Sequence, residues 1–109
     1  MKTTQEVVKD FFKSILVVIT KNSSKSYGLV VFKNMKNRLI KDFSFLNLIK
    51  ISNSTINIDS KINSVGTSKI RELFNKVMDI IGPDILKLLI KERLDSEDLI
   101  YLNKIGVRL

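Results

Sequence analysis

The chain has 109 residues, 44% of them hydrophobic and 28% charged, which is enough for one globular domain, residues 1–109, with one hydrophobic core. Cysteine and histidine are both absent. Their absence excludes disulfides, thiolate or imidazole metal ligands, and catalysis by either residue. The net charge is +8, and residues 1–50 carry nearly all of it, with ten basic and three acidic side chains. Such one-sided charge predicts a polyanionic partner, and nucleic acid is the leading candidate.

The N-terminal sequence does not predict insertion into a membrane. Its longest apolar run, Ile15–Ile19, is too short for a membrane span or for the apolar part of a signal peptide. We therefore expect an intracellular protein, cytoplasmic or otherwise, with no membrane partner.

The first predicted element is a helix over residues 4–20. Thr4 is a suitable N-terminal cap, and apolar residues follow it at the three- and four-residue spacing of one buried helical face. These residues are Val8, Phe11, Phe12, Ile15 and Ile19. Because residues 14–20 are rich in β-branched side chains, a strand there is the alternative. The polar residues 21–26 predict a loop.

The middle of the chain predicts strands. Residues 27–33, 38–51 and 55–62 are rich in β-branched or aromatic side chains and are separated by turns that contain Asn and Ser. We expect these segments to form an antiparallel meander of three strands, or of four if residues 14–20 join it.

The last third of the chain predicts helices over residues 67–81 and 84–94, followed by a third, short helix. The expected capping residues are Gly82 and Pro83 between the first two helices, and Asp95 or Ser96 and then Gly106 at the ends of the third. The predicted fold class is therefore α+β. An N-terminal helix precedes the meander, and two to three C-terminal helices pack on one face of the sheet.

Residues 33–41 predict a basic hairpin between two strands, with four cations and amide side chains between them. This composition suits contacts to phosphates, which position a nucleic-acid backbone without reading its sequence. An ordinary solvated turn is the alternative, because lysines also guard sheet edges. The predicted nucleic-acid-binding residues are Lys21, Lys25, Lys33, Lys36, Arg38 and Lys41. In this hypothesis the protein is not an enzyme and needs no metal or cofactor.

A metal-dependent nuclease is the alternative function. Asp42 precedes one predicted strand, and Asp59 and Lys61 lie on one face of the next. An acid and a lysine two residues apart, beside a second acid, resemble the PD-(D/E)xK nucleases. The resemblance implies that Asp42 and Asp59 hold Mg²⁺ or Mn²⁺ and that Lys61 orients the attacking water.

Residues 5–12 match the pattern by which peptides bind a sliding clamp. The matching positions are Gln5, Val8, Phe11 and Phe12. In that mode the apolar side chains fill a pocket of the partner. The same apolar residues also begin the predicted helical stripe, so a role in the core is favoured.

The predicted helix over residues 84–94 is apolar on more than one side. Its apolar residues include Ile85, Leu86, Leu88, Leu89 and Ile90. If one of these sides were exposed, it would form a patch of the kind that marks an interface. The pattern therefore favours a homodimer, or more generally a protein-interaction module or adaptor.

Overall fold

The computed structural model describes residues 2–21, 24–52, 55–82 and 84–107. Within these ranges the chain forms five α-helices and one two-stranded antiparallel sheet. The elements are α1 (Thr4–Lys21), α2 (Lys25–Leu39), β1 (Ile49–Ser52), β2 (Thr55–Ile58), α3 (Thr67–Ile81), α4 (Asp84–Arg93) and α5 (Ser96–Ile105). Two short 3₁₀ helices flank the sheet, Ser44–Leu48 before β1 and Ser60–Ser64 after β2.

The predicted meander of three to four strands is wrong. Residues 27–33 lie within α2, and residues 38–51 contain the end of α2, a turn, the first 3₁₀ helix and most of β1. The sheet consists of β1 and β2, which pair Ile49 with Ile58 and Ile51 with Ile56. The C-terminal helices therefore have no broad sheet face on which to pack.

Burial along one side explains why residues 25–39 form a helix. Phe32, Met35 and Leu39 recur at intervals of three and four residues and are all buried, which satisfies the helical period. Ser24 caps the first turn, because its side chain accepts a hydrogen bond from the Tyr27 backbone N–H (3.1 Å). Packing against the core has overridden the β propensity of the neighbouring valines, and the asparagines interpreted as turn residues lie on the helix surface.

The other predicted helices are confirmed. α1 runs from Thr4 to Lys21, so the alternative strand over residues 14–20 is wrong. α3 ends at Gly82, whose φ of 83° lies in the left-handed region that favours glycine. α5 begins with Asp95 as its N-terminal cap and ends at Gly106, with φ of 94°. Pro83, the predicted start of the next helix, lies outside the described residues.

The core is built around α1. Val7, Val8, Phe11 and Ile15 are completely buried, and Phe12 is 1% exposed. The Phe11 ring stacks on Phe74 of α3 with a centroid distance of 4.0 Å. α1 also contacts α2, α4, α5 and β2. A central helix surrounded by other elements thus replaces the predicted arrangement of helices on a sheet.

Candidate nucleic-acid interface

The basic segment over residues 33–41 is the last part of a helix and the turn after it, so the predicted basic hairpin is wrong. Lys33, Lys36 and Arg38 lie on α2, and Lys41 lies in the turn before the first 3₁₀ helix. Lys33, Arg38 and Lys41 are exposed, whereas Lys36 is half-buried. The side chain of Lys25 lies outside the described residues.

Helical geometry separates the predicted binding residues into groups. At 100° per residue, Lys33 and Lys36 lie about 60° apart around the helix axis, on one flank of the outer face of α2. Arg38 is about 140° from Lys33 and lies on the other flank. Lys21 ends α1 and lies near the start of α2, which places it at the opposite end of α2 from Lys41. The predicted residues therefore do not form one compact cluster, although Lys33 and Lys36 do lie together.

Lys33 and Lys36 border a groove between α2 and the segment that leads into β1, here called the α2–β1 groove. Its volume is about 320 Å³. Phe32, which is 3% exposed, contributes to its lining from the core side. The other lining side chains are Lys33, Lys36, Asn37, Ile40, Asn47 and Ile51.

A hydrogen bond from Lys36 fixes one wall of the α2–β1 groove. The Lys36 ammonium donates to the backbone carbonyl oxygen of Ile49 at 2.7 Å, which ties α2 to the start of β1. This bond uses one of the three donors of the ammonium and leaves two for a ligand. Lys36 therefore has both a structural role and the capacity to bind an anion.

The acids of the later helices do not neutralise the cations of α2. In the described part of the chain, the basic side chains within 4.0 Å of a carboxylate are Lys2, which contacts Asp10, Asp95 and Asp98, and Lys69, which contacts Glu72. Lys33, Lys36, Arg38 and Lys41 thus have no acidic partner among the described residues. Their charge remains available to a polyanion.

A partly buried charge cluster of Lys2, Asp10, Asp95 and Asp98, here called the Lys2 cluster, joins the start of α1 to the start of α5; sequence reasoning missed it. The Lys2 ammonium donates to Asp10 (2.6 Å), to Asp98 (3.3 Å) and to Asp95. Asp95 and Asp98 also cap α5 reciprocally, each accepting a backbone N–H from the other. The spacing of these two acids signals a capping box, but no local pattern could link them to Lys2, which is more than 90 residues away.

The environment of this cluster shifts the pKa of several groups. Burial raises the pKa of the Asp98 carboxyl to about 6, and the nearby Asp10 carboxylate acts in the same direction. The hydrogen bond from Lys2 lowers the pKa of Asp95 below its usual value. Hydrogen bonds to Asp10 and Asp95 raise the pKa of Lys2. The carboxylate oxygens of the three acids lie within 4.8 Å of one another, and Lys2 supplies the positive charge between them.

The residues of the nuclease alternative lie on elements other than those predicted. Asp42 lies in the turn after α2 instead of at the head of a long strand. Asp59 follows β2, and its carboxylate accepts the backbone N–H of Lys61 (2.9 Å) at the start of the second 3₁₀ helix. β1 and β2 do pair, but Asp42 is separated from β1 by the first 3₁₀ helix, and Asp59 and Lys61 follow β2 instead of sharing one of its faces. The strand positions on which the PD-(D/E)xK resemblance depends therefore differ from those in the structure.

The residues of the clamp-binding pattern face the interior. Val8 and Phe11 are completely buried, and Phe12 is 1% exposed. The Gln5 side-chain amide donates to the backbone carbonyl oxygen of Ile58 at 2.7 Å. These side chains hold α1 in the core and against β2, so the folded chain does not present them to a partner.

No protein-family model, curated protein or solved structure matches this chain. Among the described helices, none combines the length and the apolar character needed to cross a lipid bilayer.

Proposed function

We propose that this protein binds nucleic acid by contacting the phosphate backbone with the outer face of α2 and the turn after it. The observation that carries the proposal is the position of Lys33 and Lys36, which border the α2–β1 groove without an acidic partner among the described residues. Arg38 on the other flank and Lys41 beyond the helix extend the positive surface. Contacts of this kind attract a polyanion and set its position without reading base sequence.

The charge distribution also supports the proposal. α2 carries four basic residues and no acidic residue within residues 25–39. An excess of positive charge on a surface raises the local concentration of an anionic partner and accelerates association. We expect binding to fall steeply as the salt concentration rises from about 50 to about 200 mM.

The test is a salt titration of binding, measured by fluorescence anisotropy with a labelled oligonucleotide. The variant is Lys33→Gln/Arg38→Gln/Lys41→Gln, which leaves the structural hydrogen bond of Lys36 in place. The slope of log affinity against log salt should become shallower by about 0.7 for single strands, or 0.9 for duplex DNA, for each phosphate that the variant no longer neutralises.

The matched control removes the same number of charges elsewhere. Lys76, Lys91 and Lys104 are exposed and lie on α3, α4 and α5. The Lys76→Gln/Lys91→Gln/Lys104→Gln variant also lowers the net charge from +8 to +5. It should keep the wild-type slope. Equal slopes in the two triple variants, or no binding by the wild type at low salt, would overturn the proposal.

A homodimer is the second candidate, because α4 leaves large apolar side chains outside the core. Ile90 is buried, but Ile85 is 62% exposed and Leu88 is 51% exposed. On α5, Ile100 is 64% exposed and lines a groove together with Lys91 of α4. Large apolar side chains left exposed on a helix are typical of a surface that a second subunit covers.

Sedimentation equilibrium tests the dimer. The wild type should be dimeric and Leu88→Glu monomeric. Val30→Glu is the matched control, because Val30 on α2 is 55% exposed and lies on another helix. A wild type that stays monomeric at high protein concentration, or a Val30→Glu variant that dissociates equally, would exclude α4 as the interface.

A further inference from the structure

The α2–β1 groove combines three kinds of chemistry. Lys33 and Lys36 supply positive charge, and Asn37 and Asn47 supply amide groups. Ile40 and Ile51 supply apolar walls. A small hydrated anion would gain nothing from contact with apolar side chains, so these walls favour a larger ligand. The groove volume of about 320 Å³ is at the lower end of the range for small-molecule sites, about 300–1,000 Å³. A ligand that matches this groove is therefore small, has an apolar surface and hydrogen-bonding groups, and carries a negative charge next to them.

The two amides are available to a ligand. Asn37 and Asn47 are exposed, and their side chains make no hydrogen bond to any other described part of the chain. Each amide offers a carbonyl acceptor and an NH₂ donor, so it can pair with either kind of group on a base edge. Asn37 follows Lys33 by four residues on α2, which makes the two side chains neighbours on the helix surface.

Lys33 and Lys36 lie where they could bind a phosphate that is attached to a ligand in the groove. The Lys36 ammonium is held in position by its bond to the Ile49 carbonyl oxygen, so less side-chain freedom is lost when it binds. Lys33 lies one helical turn earlier on the same flank and is exposed. Together they offer two positive charges at the mouth of the groove, beside its amides.

These features select a single strand over a duplex. The bases of a duplex are stacked and paired, so a duplex can offer only its backbone to a concave site of this size. An unpaired strand can place one base in the groove, with its faces against Ile40 and Ile51 and its edge toward the amides. We infer that the α2–β1 groove takes one unstacked nucleobase of a single-stranded nucleic acid while Lys33 and Lys36 hold the adjoining phosphates.

This inference rests on the proposed function, and its test separates the two. Binding by the wild type is compared between a labelled oligonucleotide and an abasic strand of the same length, which keeps the phosphates and lacks the bases. The base-bearing strand should bind about fivefold more tightly, as expected for one net hydrogen bond, and the two salt slopes should be equal. Equal affinities would overturn the base site and leave backbone binding intact. Failure to bind either strand would overturn both.

Matched variants locate the site. Asn37→Ala/Asn47→Ala should lose the fivefold preference and keep the wild-type salt slope and duplex affinity. The control, Asn34→Ala/Asn57→Ala, changes exposed asparagines that do not line the groove and should keep the preference. Circular dichroism verifies that the variants fold, and the wild-type comparison does not depend on them. If Asn34→Ala/Asn57→Ala lost the preference for the base-bearing strand and Asn37→Ala/Asn47→Ala kept it, the base would bind outside the α2–β1 groove and the inference would be overturned.

Discussion

Gly28 lies so close to α1 that a larger residue would collide with it. A Cβ at this position would approach the Thr20 Oγ1 to 2.8 Å and Leu16 Cδ1 to 3.5 Å. Two effects therefore oppose each other in Gly28→Ala. Alanine is favoured over glycine in a helix interior by about 1 kcal/mol, but forcing a methyl group into a packed contact costs about 1–3 kcal/mol. Because Thr20 can relieve part of the overlap by rotating about χ1, we expect a net loss of about 1 kcal/mol.

A double-mutant cycle with Thr20→Ala tests this explanation. In the wild-type background, Gly28→Ala should lower the melting temperature by about 4 °C, given the usual entropy of unfolding for a chain of this size. With Thr20→Ala the collision is removed, so the same change should stabilise the protein by up to about 1 kcal/mol. Thermal and urea unfolding measure both steps. If Gly28→Ala has the same effect in both backgrounds, contact with Thr20 does not explain the glycine.

Three further predictions concern stability. Gly66 is the N-terminal cap of α3 and provides no side-chain hydrogen bond, and the nearest atom to a Cβ there is 4.0 Å away. Gly66→Ser should therefore stabilise the protein by about 0.3 kcal/mol and raise the urea midpoint. Phe74→Ala should cost about 3–5 kcal/mol, because the ring is completely buried and stacks on Phe11, and a loss below about 1 kcal/mol would contradict its central place in the core. Burial raises the pKa of Asp98 to about 6. Between about pH 4 and 6 this carboxyl is therefore more protonated in the native state than in the unfolded state. Its contribution to the free energy of unfolding falls as the pH rises through that range. Urea unfolding across that range should therefore show a smaller decline, or none, in Asp98→Asn.

The helices that could be predicted are those whose pattern is strong and local. α1 and α3 each present one continuous apolar stripe, and the capping residues of α5, Asp95 and Asp98, are three residues apart in the sequence. α2 was missed because its buried side has few large apolar residues, while Tyr27 and Val30, which favour strands, are exposed on it. Its conformation is determined by contacts with α1 that a local pattern does not contain.

The candidate site was predictable only in part, for the same reason. Charge alone identified Lys33 and Lys36, but the helix decides that they share a flank and that Arg38 does not. Asn47 enters the groove because the first 3₁₀ helix packs beside α2, and the sequence predicted a strand there. The residue types of a binding surface can thus be found from composition, whereas their grouping depends on the elements that carry them.

The acids that Lys2 contacts lie on α1 and at the start of α5, whereas α2 carries basic residues and no acidic residue. Asp95 and Asp98 are fixed by mutual capping of α5 and by the Lys2 ammonium, which Asp10 also contacts. Carboxylates held by several hydrogen bonds are not free to approach other cations, and their charge is partly balanced where they lie. The Lys2 cluster therefore joins α1 to α5, and Lys2 balances part of the charge of the three acids. The absence of any acidic residue among residues 25–39 is the physical basis for expecting an anionic partner on α2.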